Sequence, residues 1–196
     1  MARPLDDAAL ETLFRAARSY NRWSAQPVSA GTLHELYELL KWGPTSLNTC
    51  PARFTFVVSA AARERLLRCV SAGNVVKVQQ APVTVIIAMD THFYEKIPQL
   101  FPARADAAER FKDSGVGEIT MMRNATLQGG YLILAARALG LDCGPMSGFD
   151  NAKLDAEFYG GTSLRSNFIC ALGHGTTEHL HPRNPRLSFE QACQIV

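Results

Sequence analysis

Apolar positions recur along this chain with two different periods, and the alternation between them divides it into helices and a few strands. Leu10, Leu13, Phe14 and Ala17 share one face at helical spacing and predict a helix over residues 6–20. A linker over residues 21–28 contains Pro27, and Thr32 with Glu35 reads as a capping box for a second helix facing inward through Leu33, Leu36, Tyr37 and Leu40. The run over residues 54–58, rich in β-branched and aromatic residues, predicts a strand. A helix is expected over residues 60–70 and a helical turn over 75–80, after the interruption at Gly73-Asn74. The unbroken apolar run over residues 83–89 predicts a strand buried on both faces.

The second half has one long element. Leu127, Tyr131, Leu134 and Ala138 recur at helical spacing and predict a helix over residues 118–139, with Gly140 as its C-cap and Gly129-Gly130 allowing a neighbour to approach closely. Before it, residues 90–117 are broken by Pro98, Pro102, Gly115 and Gly117 and read as a lid or excursion over a site. After it, residues 141–150 read as a tight loop, Asp150 as the N-cap of a helix through Phe158, residues 168–172 as a buried strand, and Ser188 with Gln191 as the cap of a short last helix. Strands are few and no βαβ alternation appears. The expected fold is therefore α+β, a small and mostly antiparallel sheet flanked by helices in one domain over residues 1–196.

Composition narrows the function classes. With 47% hydrophobic and 19% charged residues the chain can build a core. A net charge of +2, from 20 basic and 18 acidic residues, is too balanced for a nucleic-acid coat. Five cysteines without a Cys-x-x-Cys pair argue against a disulfide framework or a structural zinc, and point to a reducing cytoplasm. The first seven residues turn acidic before any apolar run, unlike a signal peptide, and no apolar stretch approaches membrane-spanning length.

Candidate chemistry begins with residues 42–51, polar and bracketed by Pro44 and Pro51. Their Thr45, Ser46 and Asn48 offer hydrogen-bonding groups on a restrained backbone, which suits a flat polar ligand. No phosphate-binding glycine loop is present. Gly115-Val116-Gly117 lacks both the third glycine and a preceding strand, so a phosphate must be held by side chains such as Arg18, Ser19, Arg183 and Arg186. Ser147, Asp150 or Asp155, and His174 occur in hydrolase order, but without the Gly-x-Ser-x-Gly turn. His179-Leu180-His181 reads as a surface turn rather than a metal site, and Cys50 as a loop cysteine. Asn74 and Lys77, one helical turn apart, place an amide and a cation together.

Five short motifs, in order, carry a family resemblance. They are Arg18-Ser19, the Pro44-Thr45-Ser46-Leu47-Asn48 loop, Asn74-Val75-Val76-Lys77, the run from Gly140-Leu141 through Pro145-Met146-Ser147-Gly148 to Phe149-Asp150, and Arg183 with Arg186. Over essentially its whole length the chain resembles the flavin-dependent nitroreductases, most closely the malonic semialdehyde reductase (3-hydroxypropionate dehydrogenase) subgroup of pyrimidine breakdown. The resemblance implies FMN, reduced by NADH or NADPH and reoxidised by a small-molecule acceptor. It also implies an intertwined homodimer with the active sites at the interface, and no nucleic-acid or membrane partner. Arg18, Ser19, Asn21 and the C-terminal arginines would hold the phosphate. Asn74 and Lys77 would address the flavin's pyrimidine edge, with Lys77 tuning it and no protein residue acting as a catalytic group. Pro145, Met146, Ser147 and Gly148 would line the ring from one subunit, and Pro44, Thr45, Ser46 and Asn48 from the other. Many relatives carry a basic residue where Asn21 stands, so Arg22 is the candidate to replace it. The family loop often continues Gln-Pro-Trp, against Cys50-Pro51-Ala52 here, and an acidic residue common at the position of Ser147 is missing. Arg53 and Arg123 are candidates for a substrate carboxylate. The alternatives are a non-catalytic flavin-binding protein and a serine hydrolase acting through Ser147.

Overall fold

The computed structural model describes residues 3–196; Met1 and Ala2, the first residues of the run read against a signal peptide, lie outside them. Four strands form one sheet: β1 (Ala52–Val57), β2 (Val83–Asp90), β3 (Asp142–Met146) and β4 (Leu164–Gly173), in the order β1-β2-β4-β3, with every pair antiparallel. Every residue of β2 is buried, because it lies inside the sheet with helices over both faces. The α+β expectation holds.

Alternation along the strands separates two cores. Val83, Val85 and Ile87 of β2, with Cys170 and Leu172 of β4, meet Leu36 and Leu40 of α2 (Ala30–Leu40) and Leu132 and Ala136 of α7 (Gly115–Ala138). Ile86 and Ala88, with Ile169 and Ala171, meet Leu66 of α3 (Ala60–Leu67), Val78 of α4 (Val75–Gln80) and Leu154 of α8 (Asn151–Tyr159). The pairing of β2 with β4 shifts between Ile87 and Ala88. Asn167 falls in the resulting bulge, and its Nδ2 donates to Thr126 Oγ1 on α7 at 2.8 Å.

Several elements depart from the sequence reading. The first helix is short: α1 (Asp7–Leu10) widens into a π-turn over Glu11–Arg15 that buries nothing, and Phe14 stays exposed. The chain beyond it is drawn out along the sheet edge, with Ser19 bridging Cys143 and Tyr20 N–H donating to Cys143 O at 3.0 Å. Arg18 and Ser19 therefore follow the helix rather than end it. The second helix is capped by Ser29, which accepts from Thr32 N–H, so the Thr32–Glu35 box lies inside it. Residues 142–146, read as loop, form β3, which tolerates Pro145 because it is an edge strand.

Residues 90–117 are not structureless. Short 3₁₀ turns alternate with α5 (Ile97–Leu100) and α6 (Ala108–Phe111), and Phe93, Ile97, Ala107 and Phe111 close a third core against Met121 and Ala125 of α7. On α7 the stripe read from the sequence lies at the flank of the buried face: Leu127 and Ala138 are exposed and Tyr131 and Leu134 half-buried, while Met121, Ala125, Gly129, Leu132 and Ala136 face inward. Ser114 caps this helix, which begins at Gly115, and Gly140 follows it with φ +73°.

Gly129 shows how closely α7 approaches the sheet. A Cβ there would stand 2.5 Å from Phe168 Cζ and 3.5 Å from Ile87 Cγ2. We expect Gly129→Ala to cost about 1–3 kcal/mol by overpacking, a fall of several degrees in melting temperature by differential scanning calorimetry. An unchanged melting temperature would show that Phe168 swings aside freely.

Candidate functional site

The loop before β1 is held in a conformation its residues do not favour. Leu47, Asn48 and Cys50 have φ of 50°, 52° and 39°, left-handed values in side chains that rarely adopt them. Each such residue costs on the order of 1–3 kcal/mol and persists only where its surroundings over-determine it. Two buried amides on α7, one turn apart, supply much of that restraint. Asn124 Oδ1 accepts from Ser46 N–H at 2.8 Å, and Gln128 Oε1 accepts from Ala52 N–H at 2.9 Å. Asn124 is itself fixed by its Nδ2 donating to Thr120 O at 2.7 Å. Within the loop, Cys50 N–H donates to Thr45 Oγ1 at 3.1 Å, and Asn48 Nδ2 reaches Leu100 O at 2.8 Å.

Arg53 completes the clamp. Its Nη1 donates to Cys50 O and Ala52 O at 2.9 and 2.8 Å, and its Nη2 meets Asp90 Oδ2 at 2.7 Å. The other oxygen of buried Asp90 accepts from Ser163 Oγ at 2.7 Å and His92 N–H at 3.0 Å. Arg53 is thus engaged with its own protein. Arg123, the other candidate for a carboxylate, stands exposed on α7.

A second group lies beside β3. Arg18, Ser19, Asn21, Arg183 and Arg186 line one cavity of about 440 Å³, joined by Arg137 from the last turn of α7. Among the described residues none of these four arginines forms an ion pair with a carboxylate. Instead backbone carbonyls orient them. Arg18 donates to His181 O, Arg183 to Arg15 O and Ala17 O at 2.6 and 2.9 Å, and Arg137 to Leu13 O at 2.8 Å. Neutral acceptors leave the positive charge uncompensated, which suits an anion such as a phosphate. Arg22 does not join them; its Nη1 turns back to Asn21 O at 3.0 Å.

Next along the same edge stand Asn74 and Lys77. Asn74 Nδ2 and Ser71 N–H both donate to Gly148 O at 2.9 Å, fixing the turn after β3. Gly144 lets the chain close up, since a Cβ there would lie 2.7 Å from Tyr20 O and 3.2 Å from Lys77 Cδ. Burial pushes the half-buried Lys77 ammonium below the usual lysine value of 10.5. Pro145 and Ser147 are exposed, whereas Met146 is buried in the core, so only its backbone faces outward.

The structure thus brings the residues near Arg18 together with Asn74, Lys77 and the 145–148 strand end, and leaves Pro44, Thr45, Ser46 and Asn48 elsewhere. Gly144 aligns through Ala171 and Thr84 with Val57, while the loop precedes Ala52 at the opposite end of β1. Three strand spacings separate them by about 14 Å across the sheet, and five residues by about 17 Å along it.

No hydrolytic triad assembles. Asp150 caps α8 through Lys153 N–H, and Asp155 accepts from Ser166 N–H at 2.8 Å. No group of three or more metal-ligating side chains occurs among the described residues, and no helix is long and apolar enough to cross a membrane. Asn124, Gln128, Arg137 and Ser71 were missed from sequence. Asn124 and Gln128 carried a readable signal, two amides at i,i+4 spacing among Met121, Ala125 and Leu132; Arg137 and Ser71 carried none.

Comparison with known proteins gives this geometry a context. A model described as "Nitroreductase family" matches residues 2–174. A Caulobacter vibrioides protein named "Putative NADH dehydrogenase/NAD(P)H nitroreductase" is 54% identical over 192 residues, 98% of each chain. A Rhodopseudomonas palustris protein of the same name is 54% identical over 198 residues, covering both chains completely. Among solved structures, a Bacillus subtilis "putative nitroreductase" shares the fold with a TM-score of 0.86 at 19% identity, covering 97% of this chain and all of that one. An Exiguobacterium sibiricum "putative nitroreductase in complex with FMN" does so with a TM-score of 0.86 at 15% identity, over the full length of both.

Two outcomes follow from the site geometry. Gln128→Leu leaves the buried Ala52 N–H without an acceptor, a cost of about 1–3 kcal/mol. Chemical denaturation should register it, and hydrogen exchange should quicken across residues 44–52; unchanged exchange there would remove Gln128 from the clamp.

For Lys77 the lowered folded-state value means that the unfolded chain binds the proton more tightly. The destabilisation is fully present below the folded value and is relieved as pH rises towards 10.5. Lys77→Met should therefore melt above wild type at neutral pH, with the gap narrowing in alkali; equal melting temperatures at pH 7 would contradict this.

Proposed function

The chain belongs to the nitroreductase family, and from that premise we propose that it is an FMN-dependent NAD(P)H oxidoreductase completed by a second copy of itself. The observation that carries the reading is the cavity lined by four arginines without a carboxylate partner, reached from Lys77 along the Ser19–Cys143 bridge. FMN held there would supply the hydride chemistry between NADH or NADPH and an acceptor.

In this reading the protein binds, orients and tunes. Arg18, Arg137, Arg183 and Arg186 neutralise the phosphate, with Ser19 and Asn21 adding polar contacts. The Asn74 side chain, already committed to Gly148 O, steadies the 145–148 turn against which the ring would lie. The Lys77 ammonium would favour negative charge on a ring edge placed beside it. Its partial burial weakens water's competition for that charge and strengthens the effect. No nucleophile is needed, because hydride transfer depends on stacking and distance.

The loop of Pro44, Thr45, Ser46 and Asn48 reaches a flavin only from another chain, given its separation from Lys77 along and across the sheet. Apolar side chains left outward on α7 (Val116, Ile119, Met122 and Leu127), together with the exposed Trp42, are consistent with a partner covering that side. As acceptor we propose a carbonyl, nitro or quinone compound. Malonic semialdehyde, reduced to 3-hydroxypropionate, is the specific choice, and it rests on the subgroup resemblance.

Anaerobic stopped-flow mixing with NADH and NADPH tests the reading. The flavin's visible absorbance should bleach with at least one of them, while a flavin that never bleaches marks a binding protein and a colourless active protein marks a hydrolase. Arg186→Glu should weaken FMN binding at least tenfold by flavin fluorescence; unchanged affinity would remove Arg186 from the phosphate site.

A further inference from the structure

A cavity of about 630 Å³ is separate from the arginine-lined one. It opens beside the strained loop, with Asn48 and Cys50 in its wall, and its volume suits a small organic ligand. Three cations line it: Lys41 from the end of α2, Arg53 from β1 and Lys96 from the turn before α5, and no carboxylate shares the lining.

Two of the three cations are already committed. Lys41 pairs with Glu38 and lies over the Trp42 ring at 5.6 Å from its centre. Arg53 is held by Asp90 and by the carbonyls of Cys50 and Ala52. Lys96 has neither a carboxylate nor a hydrogen-bond partner among the described residues, and its helical turn is anchored from within by buried Phe93 and Ile97.

Gln128 adds a polar group to the same wall. It is only 4% exposed, its Oε1 is taken by Ala52 N–H, and among the described residues no acceptor takes its Nε2. The lining also carries the aromatic side chains of Trp42, Phe54 and Phe56. An ammonium without a partner, a buried amide with an uncommitted donor and aromatic faces together describe a receptor for a flat anion.

We infer that this cavity binds the acceptor and selects flat organic carboxylates, with Lys96 holding the carboxylate, Gln128 Nε2 donating to a second polar oxygen and Trp42 and Phe54 covering the apolar body. The inference rests on the oxidoreductase reading above, in which this loop lies against the flavin of a second copy, and it specifies the acceptor of that flavin. Arg53, the carboxylate ligand expected from sequence, is on this view a positioning residue that holds the Cys50 carbonyl and so shapes the wall.

The test compares 4-nitrobenzoate with its neutral analogue 4-nitrobenzamide. Both are titrated by calorimetry into the purified protein without reductant, at low ionic strength. Wild type should bind the carboxylate about tenfold tighter, the worth of one partly screened ion pair. Lys96→Met should bring the two within about twofold, Lys96→Arg should keep the preference, and Lys153→Met, exposed on α8, should leave it intact. Added salt should shrink the wild-type preference.

In turnover, Lys96→Met should raise KM for 4-nitrobenzoate about tenfold with kcat and the 4-nitrobenzamide constants little changed. Equal wild-type affinities, no binding of either compound, or a preference that survives Lys96→Met would each overturn the inference. A protein that purifies without flavin would sink the oxidoreductase reading while leaving the calorimetric comparison readable.

Discussion

Everything distinctive about this molecule hangs on two buried side-chain amides. Asn124 and Gln128 sit on the inward face of α7, where the rest of the helix presents small and apolar groups to the sheet. Burying an amide is unfavourable unless its hydrogen bonds are met. Their oxygens accept from the backbone N–H groups of Ser46 and Ala52, at the two ends of a loop whose own conformation is strained. Loop and helix therefore stabilise each other: the loop supplies donors to the two amide oxygens, and the amides hold Leu47, Asn48 and Cys50 in a region of backbone space they would otherwise leave. Because α7 is long and packs on the sheet, the loop inherits the rigidity of the core.

Rigidity of that kind is what hydride chemistry demands. Nothing in the described residues resembles an activated nucleophile, and the carboxylates of a would-be triad are spent on a helix cap and a strand amide. What the chain offers is placed charge. Four arginines are aimed by backbone carbonyls and left without counter-ions, and one lysine is kept partly out of water at a cost that shows in its lowered proton affinity. Charges held at such a cost are stability given up for something other than folding. The close approach at Gly144, with room for no Cβ beside Tyr20 O, shows that the backbone around Lys77 is built to bring the segment after Arg18 and Ser19 against β3.

Sequence made much of this legible, unevenly and for physical reasons. The strand at residues 83–89 and the turn at 75–80 were readable because burial on both faces and flanking glycine and proline leave strong local signatures. The first helix was over-extended because Leu13, Phe14 and Ala17 keep helical spacing although none of them is fully buried; beyond it the chain is drawn out by pairing with Cys143, far away in sequence. Residues 142–146 could not be recognised as a strand, since Gly144 and Pro145 are poor strand formers and the pairing with β4 decides the matter. On α7 the helical spacing of Leu127, Tyr131, Leu134 and Ala138 marked the helix but not its buried face, which carries Met121, Ala125, Gly129, Leu132 and the two amides. The arginine cluster near Arg18 was legible in its parts, but Arg137, supplied from the end of α7, had no local pattern to announce it.

The sheet also explains why such a site resists completion by one chain. β1 and β3 are its two edges, and the loop and Lys77 stand at opposite edges and opposite ends of the strands. Moving either would break the register that fixes both, because a one-residue slip in β2 would exchange the two cores. A second copy related by a two-fold axis can present its loop to the first chain's Lys77 and receive the reverse contact in the same interface. The strain in the loop then becomes intelligible. On the proposed shared-site reading, a segment offered to another molecule cannot rely on that molecule for its shape before the two meet; the loop's conformation is set from behind, by Asn124, Gln128 and Arg53, while Trp42 stands in solvent at 78% exposure.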